Sequence, residues 1–447
     1  MKQRIELLLE RTGWLAAKCS HLVLLTTLTG AATSACSSAP LGDDLGGSKQ
    51  QLCNELENNF PFENPGGNAA TFSTAGFVDL DNEFHTPQGT NGRSCGTCHL
   101  PESGWSINPG QIEALFAETG GVAPIFNPLD ANSATADVST PEARHASYSM
   151  LRAGLFRRGA NRPSTAEYTI TGVDDPLHAG GSTTRFEFFR RPLATVNFHL
   201  ALNVGWHSQN GQALTPPPVD GLTAQASGNI TGAQQGATAP PEIVAAIVAY
   251  ESQLSFAQLT ARGAGRLDKC GGRGGPEILA SQPFVDGPFD LFDAWASGQG
   301  CATNPHRRQI ARGQALFNAT NANGRSCRGC HNAANNGSNV SGTLFDIGAS
   351  DADKREPGMP LYTLTRTSTG ETKQTTDPGR AGAGTGTWAS LNRFKVPSLR
   401  GTAARAPYFH NGVAKTLLDV VKHYEQKLGF VYTAEEEQDL VAFLNAL

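Results

Sequence analysis

Methionine is almost missing from this 447-residue chain: only Met1, Met150 and Met359 occur, so chemistry that needs a thioether ligand has few places to find one. Charge is sparse as well. Asp, Glu, Lys and Arg make up 17% of the residues, and a net charge of -5 with a pI near 6.1 leaves no broad basic surface for nucleic acid. After residue 36 no run of about 18 apolar residues occurs, so no membrane-spanning segment is expected there. What the chain has in quantity is 50 Gly and 26 Pro, the composition of a loop-rich globular fold, and its length allows two or three domains.

Residues 1–36 read as an export signal, with a charged start through Lys18, an apolar stretch from Leu22 to Ala32, and then Ser34-Ala35-Cys36. Small residues before a cysteine resemble a bacterial lipoprotein signal, in which Cys36 would carry the lipid; a cleaved secretory signal without lipid is the alternative. Either reading places the protein in the periplasm or cell envelope, touching membrane only through Cys36. Residues 37–70, rich in Gly, Asn and Ser, read as a flexible tether. An exported chain can form disulfides, and Cys270 and Cys301 bracket a Gly-rich stretch that they could close, which leaves Cys53 without a partner.

Four of the remaining cysteines fall into two pentads, Cys95-Gly96-Thr97-Cys98-His99 and Cys327-Arg328-Gly329-Cys330-His331. Two cysteines three apart can set both sulfurs along one porphyrin edge as thioethers, and the histidine that follows then reaches the iron. A zinc site is the competing reading, but zinc needs four ligands and usually takes them from paired motifs close in sequence, whereas these lie far apart. Two covalent c-type haems are therefore expected, and the shared run Asn-Gly-Arg-Ser-Cys at 91–95 and 323–327 suggests a duplicated domain. The expected fold is mainly α, with two cytochrome c-like haem domains and long loops: a first domain over 71–261, a Gly-rich connector over 262–304 and a second domain over 305–447.

Helices are predicted over Pro241–Leu254, with Ile243, Ile247 and Leu254 on one face, and over Pro305–Phe317, where Gly313 would permit a close crossing with the last helix. Two terminal helices open on Thr416…Asp419 and Thr433…Glu436, both in the capping-box pattern. Each iron needs a sixth ligand or an open position. Met359 is one possibility for the second haem; Tyr424, on the helical face of Leu417, Val420 and Val421, is another, and could equally be a core tyrosine. His85, His145, His178 and His199 are each conceivable distal ligands of the first haem.

The runs Phe394-Lys395-Val396-Pro397-Ser398-Leu399-Arg400-Gly401 and Ala406-Pro407-Tyr408-Phe409-His410-Asn411-Gly412, with Thr416-Leu417, resemble the C-terminal signature of bacterial di-haem cytochrome c peroxidases and their relative MauG. The resemblance extends from about Phe72 to the end. It implies a peroxidatic first haem, an electron-transfer second haem, hydrogen peroxide as substrate, and a small cytochrome or cupredoxin as donor. It also implies roles for single residues. Tyr424 follows His410 by fourteen residues, where the peroxidases carry an axial Met and MauG a Tyr, which makes Tyr424 a metal ligand beside His99 and His331. Trp206, at the end of a stretch that begins Arg190-Arg191-Pro192-Leu193-Ala194-Thr195-Val196-Asn197, matches the tryptophan between the haems. Gln225 matches the first residue of the peroxide loop, and Gln235 stands where the family has its catalytic Glu. An amide cannot shuttle a proton, so Glu242 or His207 would have to substitute. The usual Asp-Gly-Arg after the tryptophan is replaced by His207-Ser208-Gln209, and Arg191 falls where the family binds calcium through an Asn, a cationic residue that argues against the ion. MauG-like oxidation of a partner protein and plain di-haem electron transfer are the alternative functions.

Overall fold

Gly313 lies where the helix Pro305–Asn318 crosses the helix Ala434–Asn445, and a Cβ added there would sit 1.9 Å from Asp439 O. The missing side chain lets the two backbones touch. Arg312 then clamps the crossing with a bidentate pair to Asp439, at 2.7 and 2.8 Å. Both terminal helices begin with the capping boxes expected of them: Thr416 and Asp419 exchange side-chain and backbone hydrogen bonds, as do Thr433 and Glu436. Gly313→Ala is expected to destabilise the protein by about 3 kcal/mol, the upper end for overpacking, because the obstructing atom is backbone. Urea unfolding would measure the loss, and an unchanged midpoint would contradict so tight a crossing.

In the computed structural model, which describes residues 54–178 and 181–447, these segments belong to one compact unit. The export signal, Cys36, Cys53 and the first half of the expected tether lie outside the described residues. The rest of the tether is not one. Strand Gly67–Ser73 pairs antiparallel with Leu254–Ala261 in a four-stranded sheet, and Ala69 and Ala70 are fully buried. Small residues at these positions let the strand lie close under the first core, which explains why a Gly- and Asn-rich segment folds.

Helix makes up about 33% of the chain and strand about 18%, so the mainly α expectation needs a β component added. Part of that component joins the two expected domains: Leu361–Arg366 sits between Tyr168–Asp174 and Thr372–Thr375 in a three-stranded antiparallel sheet. Tyr168, Ile170, Phe186, Phe188, Tyr362 and Leu364 form a core of their own around it. The connector is likewise part of the fold. Leu267, Phe289, Leu291, Phe292 and Trp295 pack with Ile310, Phe317 and Phe443 in the C-terminal core, and the Cys270–Cys301 disulfide closes the stretch as expected. The first helix reading holds with a shifted end: the helix is Pro241–Gln253, and Leu254 already begins a strand. Among the described residues no helix is long and apolar enough to cross a membrane.

Candidate functional site

Each pentad ends in an imidazole oriented by the backbone. His99 Nδ1 lies 2.9 Å from Trp105 O, and His331 Nδ1 lies 2.5 Å from Gly337 O. A carbonyl can only accept, so the hydrogen sits on Nδ1 and the Nε2 lone pair is free for a metal. Burial lowers both imidazoles to about 4, which keeps them neutral at pH 7. The four motif cysteines are free, and burial raises their thiols, Cys98 to about 11 and Cys327 to about 12. Among the described residues no three His, Cys, Asp or Glu side chains converge on a metal position. One histidine and two thiols per site, beside a cavity, fit a thioether-linked haem better.

Two cavities adjoin the motifs. One of about 410 Å³ is lined by His99, and one of about 580 Å³ by Cys327, Cys330 and His331; both fall in the range of about 300–1,000 Å³ usual for cofactor sites. They share a wall. Arg191, Pro192, Leu193, Ala194, Trp206 and Lys395 line both. The Trp206 indole is fixed in that wall, since Nε1 donates to Arg191 O at 2.7 Å and its carbonyl accepts from Lys395 N at 2.8 Å. Trp206 thus lies in the wall common to both cavities.

In the second cavity the helix Leu417–Leu428 presents Leu417, Val420, Val421, Tyr424 and Leu428, the face expected from its spacing. Burial raises the Tyr424 phenol, with the thiols of Cys330 and Cys327 adding to the effect, so the hydroxyl is neutral and within electrostatic reach of the second motif. Met359 is elsewhere. It is buried with Met150, Leu155 and Phe189 in a separate cluster and does not line this cavity, whereas Tyr424 does.

The first cavity differs from expectation. Gln225, on the helix Val219–Gly228, lines it together with Gln209, Asn210 and Asn229, but Gln235 does not. The turn after Asn229 is closed by Gln234 N to Asn229 O and Gly236 N to Ile230 O, which tucks Gln234 inward and leaves Gln235 exposed with φ +58. Glu242 is also exposed, at the start of its helix, and lines neither cavity. His207 does line the first cavity, but its Nδ1 faces Arg190. A guanidinium cannot accept, so Nδ1 must, and Nε2 carries the hydrogen. Burial and the Arg190 charge lower His207 to about 3. It can donate a hydrogen bond from Nε2, but it is a poor proton shuttle. None of His85, His145, His178 and His199 lines either cavity: His85 Nε2 is bonded to Tyr250 OH, His199 Nε2 to Leu279 O, and the other two are exposed.

Two features were missed from sequence. Arg190 makes a buried bidentate pair with Asp377, at 2.6 and 2.7 Å, which also lies 3.7 Å from His410 Nε2 and so ties the wall of the first cavity to the signature histidine of the second. Glu251 is buried with Oε2 unpartnered, and burial raises its carboxyl to about 8. A lone acid four residues after Ile247, on the inner face of an apolar helix, was the available signal.

No family profile matches the chain. Curated relatives match in part: a cytochrome-c peroxidase, IdrP1, of Pseudomonas sp. (strain SCT) is 30% identical over 35% of this chain and 43% of its own length. Cytochrome c551 peroxidase of Nitrosomonas europaea is 31% identical over 36% of this chain and 39% of its own. The methylamine utilization protein MauG of Paracoccus denitrificans is 28% identical over 34% and 42%. The chain thus spans about two-fifths of the length of these relatives. Among solved structures, a MauG-like protein associated with microbial copper homeostasis aligns over 60% of this chain and 75% of its own, at 18% identity and a TM-score of 0.34. Over about a third of its length, the chain is a distant homologue of the di-haem cytochrome c peroxidases and MauG.

Proposed function

We propose that this protein is a di-haem c-type oxidoreductase that reduces hydrogen peroxide with electrons from a small cytochrome or cupredoxin. The observation that carries the reading is the shared wall: two cavities, each reached by the histidine of a Cys-x-x-Cys-His motif, meet at one fixed tryptophan. Cys95 and Cys98 would hold one haem with His99 on its iron, and Cys327 and Cys330 the other with His331 and Tyr424. A haem at each site supplies an iron that changes oxidation state by single electrons. The overall balance is one peroxide, two electrons and two protons giving two waters, the electrons arriving one at a time.

The chain's own groups would divide the work. Trp206, an aromatic side chain in the shared wall, would relay electrons between the sites. Gln225 and the His207 Nε2–H offer hydrogen bonds to a small oxygen ligand in the first cavity. No carboxylate lines that cavity among the described residues, so turnover is expected to fall below that of a site with a general acid–base group by roughly 10²–10⁴-fold. The Cys270–Cys301 disulfide supports an oxidising compartment such as the periplasm or cell envelope. Oxidation of a partner protein is a second reading, favoured by Tyr424 in the second cavity. Absorption and EPR spectra of the haem-loaded protein test the proposal. One haem should respond to stoichiometric peroxide and recover on addition of reduced donor; two haems indifferent to peroxide would leave only electron transfer.

A further inference from the structure

The wall between the cavities holds positive charge that no carboxylate among the described residues pairs with. Arg191 is 4% exposed. Its Nη2 donates to Ile107 O at 2.8 Å and Arg405 O at 3.3 Å, both neutral carbonyls, while Nη1 is buried without a partner. Lys395 Nζ donates only to Asn203 O, at 2.9 Å. Neither has a carboxylate within ion-pair distance among the described residues, and both line both cavities. Gly154, which has φ +82, packs against the guanidinium: a Cβ there would lie 2.7 Å from Nη1, so the glycine lets Arg191 occupy this wall. Two other buried cations are ion-paired, Arg93 with Asp130 and Arg190 with Asp377, while Arg400 is held by the backbone oxygens of Leu447 and Asn335 and lines neither cavity. An unpaired buried cation costs several kcal/mol, so this pair of residues fits a wall completed by an anion that the polypeptide does not supply.

We propose that Arg191 and Lys395 together form the binding site for haem propionate carboxylates, in a wall common to both cavities, so that one pair of cations sets the charge environment of both haems. This rests on the reading that both cavities hold haem. Propionates are the anionic groups a c-type haem brings with it, and a guanidinium and an ammonium in the wall of the cavity can give them charge-assisted hydrogen bonds. Positive charge beside a haem disfavours the ferric state, which carries one more positive charge than the ferrous, and so raises the potential. Because the wall is shared, the effect reaches both centres.

The test is a spectroelectrochemical titration of the haem-loaded full chain, without peroxide, for wild type, Arg191→Gln, Arg191→Lys and Lys395→Met. Both midpoint potentials should fall in Arg191→Gln and in Lys395→Met, and stay near wild type in Arg191→Lys, which keeps the charge. Unchanged potentials in Arg191→Gln and Lys395→Met, or shifts confined to one haem, would overturn the proposal. If Arg191→Gln loads no haem while Arg191→Lys loads normally, the loss supports the site, and Lys395→Met then reports the shared shift. Wild-type protein with no haem would refute the underlying reading instead, and a wild type inert to peroxide would leave this test unaffected.

Discussion

Replacing Tyr424 with Phe is expected to change the absorption and EPR spectra of the haem on Cys327 and Cys330 and to leave the other haem as it was. The phenol stands on the cavity-lining face of the Leu417–Leu428 helix, and Phe keeps its packing while removing the oxygen. Met359 cannot take over, because it is locked into a cluster with Met150, Leu155 and Phe189. Tyr424→Met should instead give a six-coordinate centre whose potential rises by a few tenths of a volt, out of the roughly 0.8 V that axial ligation spans. Burial favours the neutral phenol in the haem-free chain, so ligation to ferric iron should release a proton as the haem site fills. A Tyr424→Phe spectrum identical to wild type would remove the tyrosine from the iron and leave it a core residue.

Disabling the first motif should have the larger effect on activity. Cys95→Ala with Cys98→Ala is expected to lower the haem content from two per chain to one and to abolish the spectral response to peroxide. The matching pair at Cys327 and Cys330 should also leave one haem, but one that still responds to peroxide and recovers slowly when reduced donor is added. The asymmetry follows from the cavities. The first offers amide and imidazole donors from Gln225, Asn229 and His207, whereas in the second the helix that carries Tyr424 flanks it with Leu417, Val420, Val421 and Leu428. Equal loss of the peroxide response in both double variants would contradict this division of roles.

What could be read from the sequence was what local chemistry dictates. The haem motifs, the two capping boxes, the Gly313 crossing and the Cys270–Cys301 pair each depend on a few neighbouring residues or on one demanding contact. The sheet that joins the two halves carried only half a signal. Tyr168 and Ile170 alternate inward as a strand should, but the partner strand Leu361–Arg366 lies nearly two hundred residues on, and nothing local selects it. Residues 67–70 looked like linker because Gly, Asn and Ala are common in linkers; they are also what a strand needs to lie tightly under a core. Gln235 misses the first cavity because the turn after Asn229 buries Gln234, whose side chain bonds Gln88 N, and turns Gln235 outward, a fold that position along the chain does not reveal. The buried charges at Arg191 and Glu251 were out of reach, since burial is a property of the assembled fold.

Everything proposed here depends on haem being attached at both motifs. Peptide mass spectrometry of the protein made in a host able to attach c-type haem addresses this directly. Two peptides, one spanning Cys95 to His99 and one spanning Cys327 to His331, should each carry the mass of one haem. Unmodified thiols in both peptides would contradict the account.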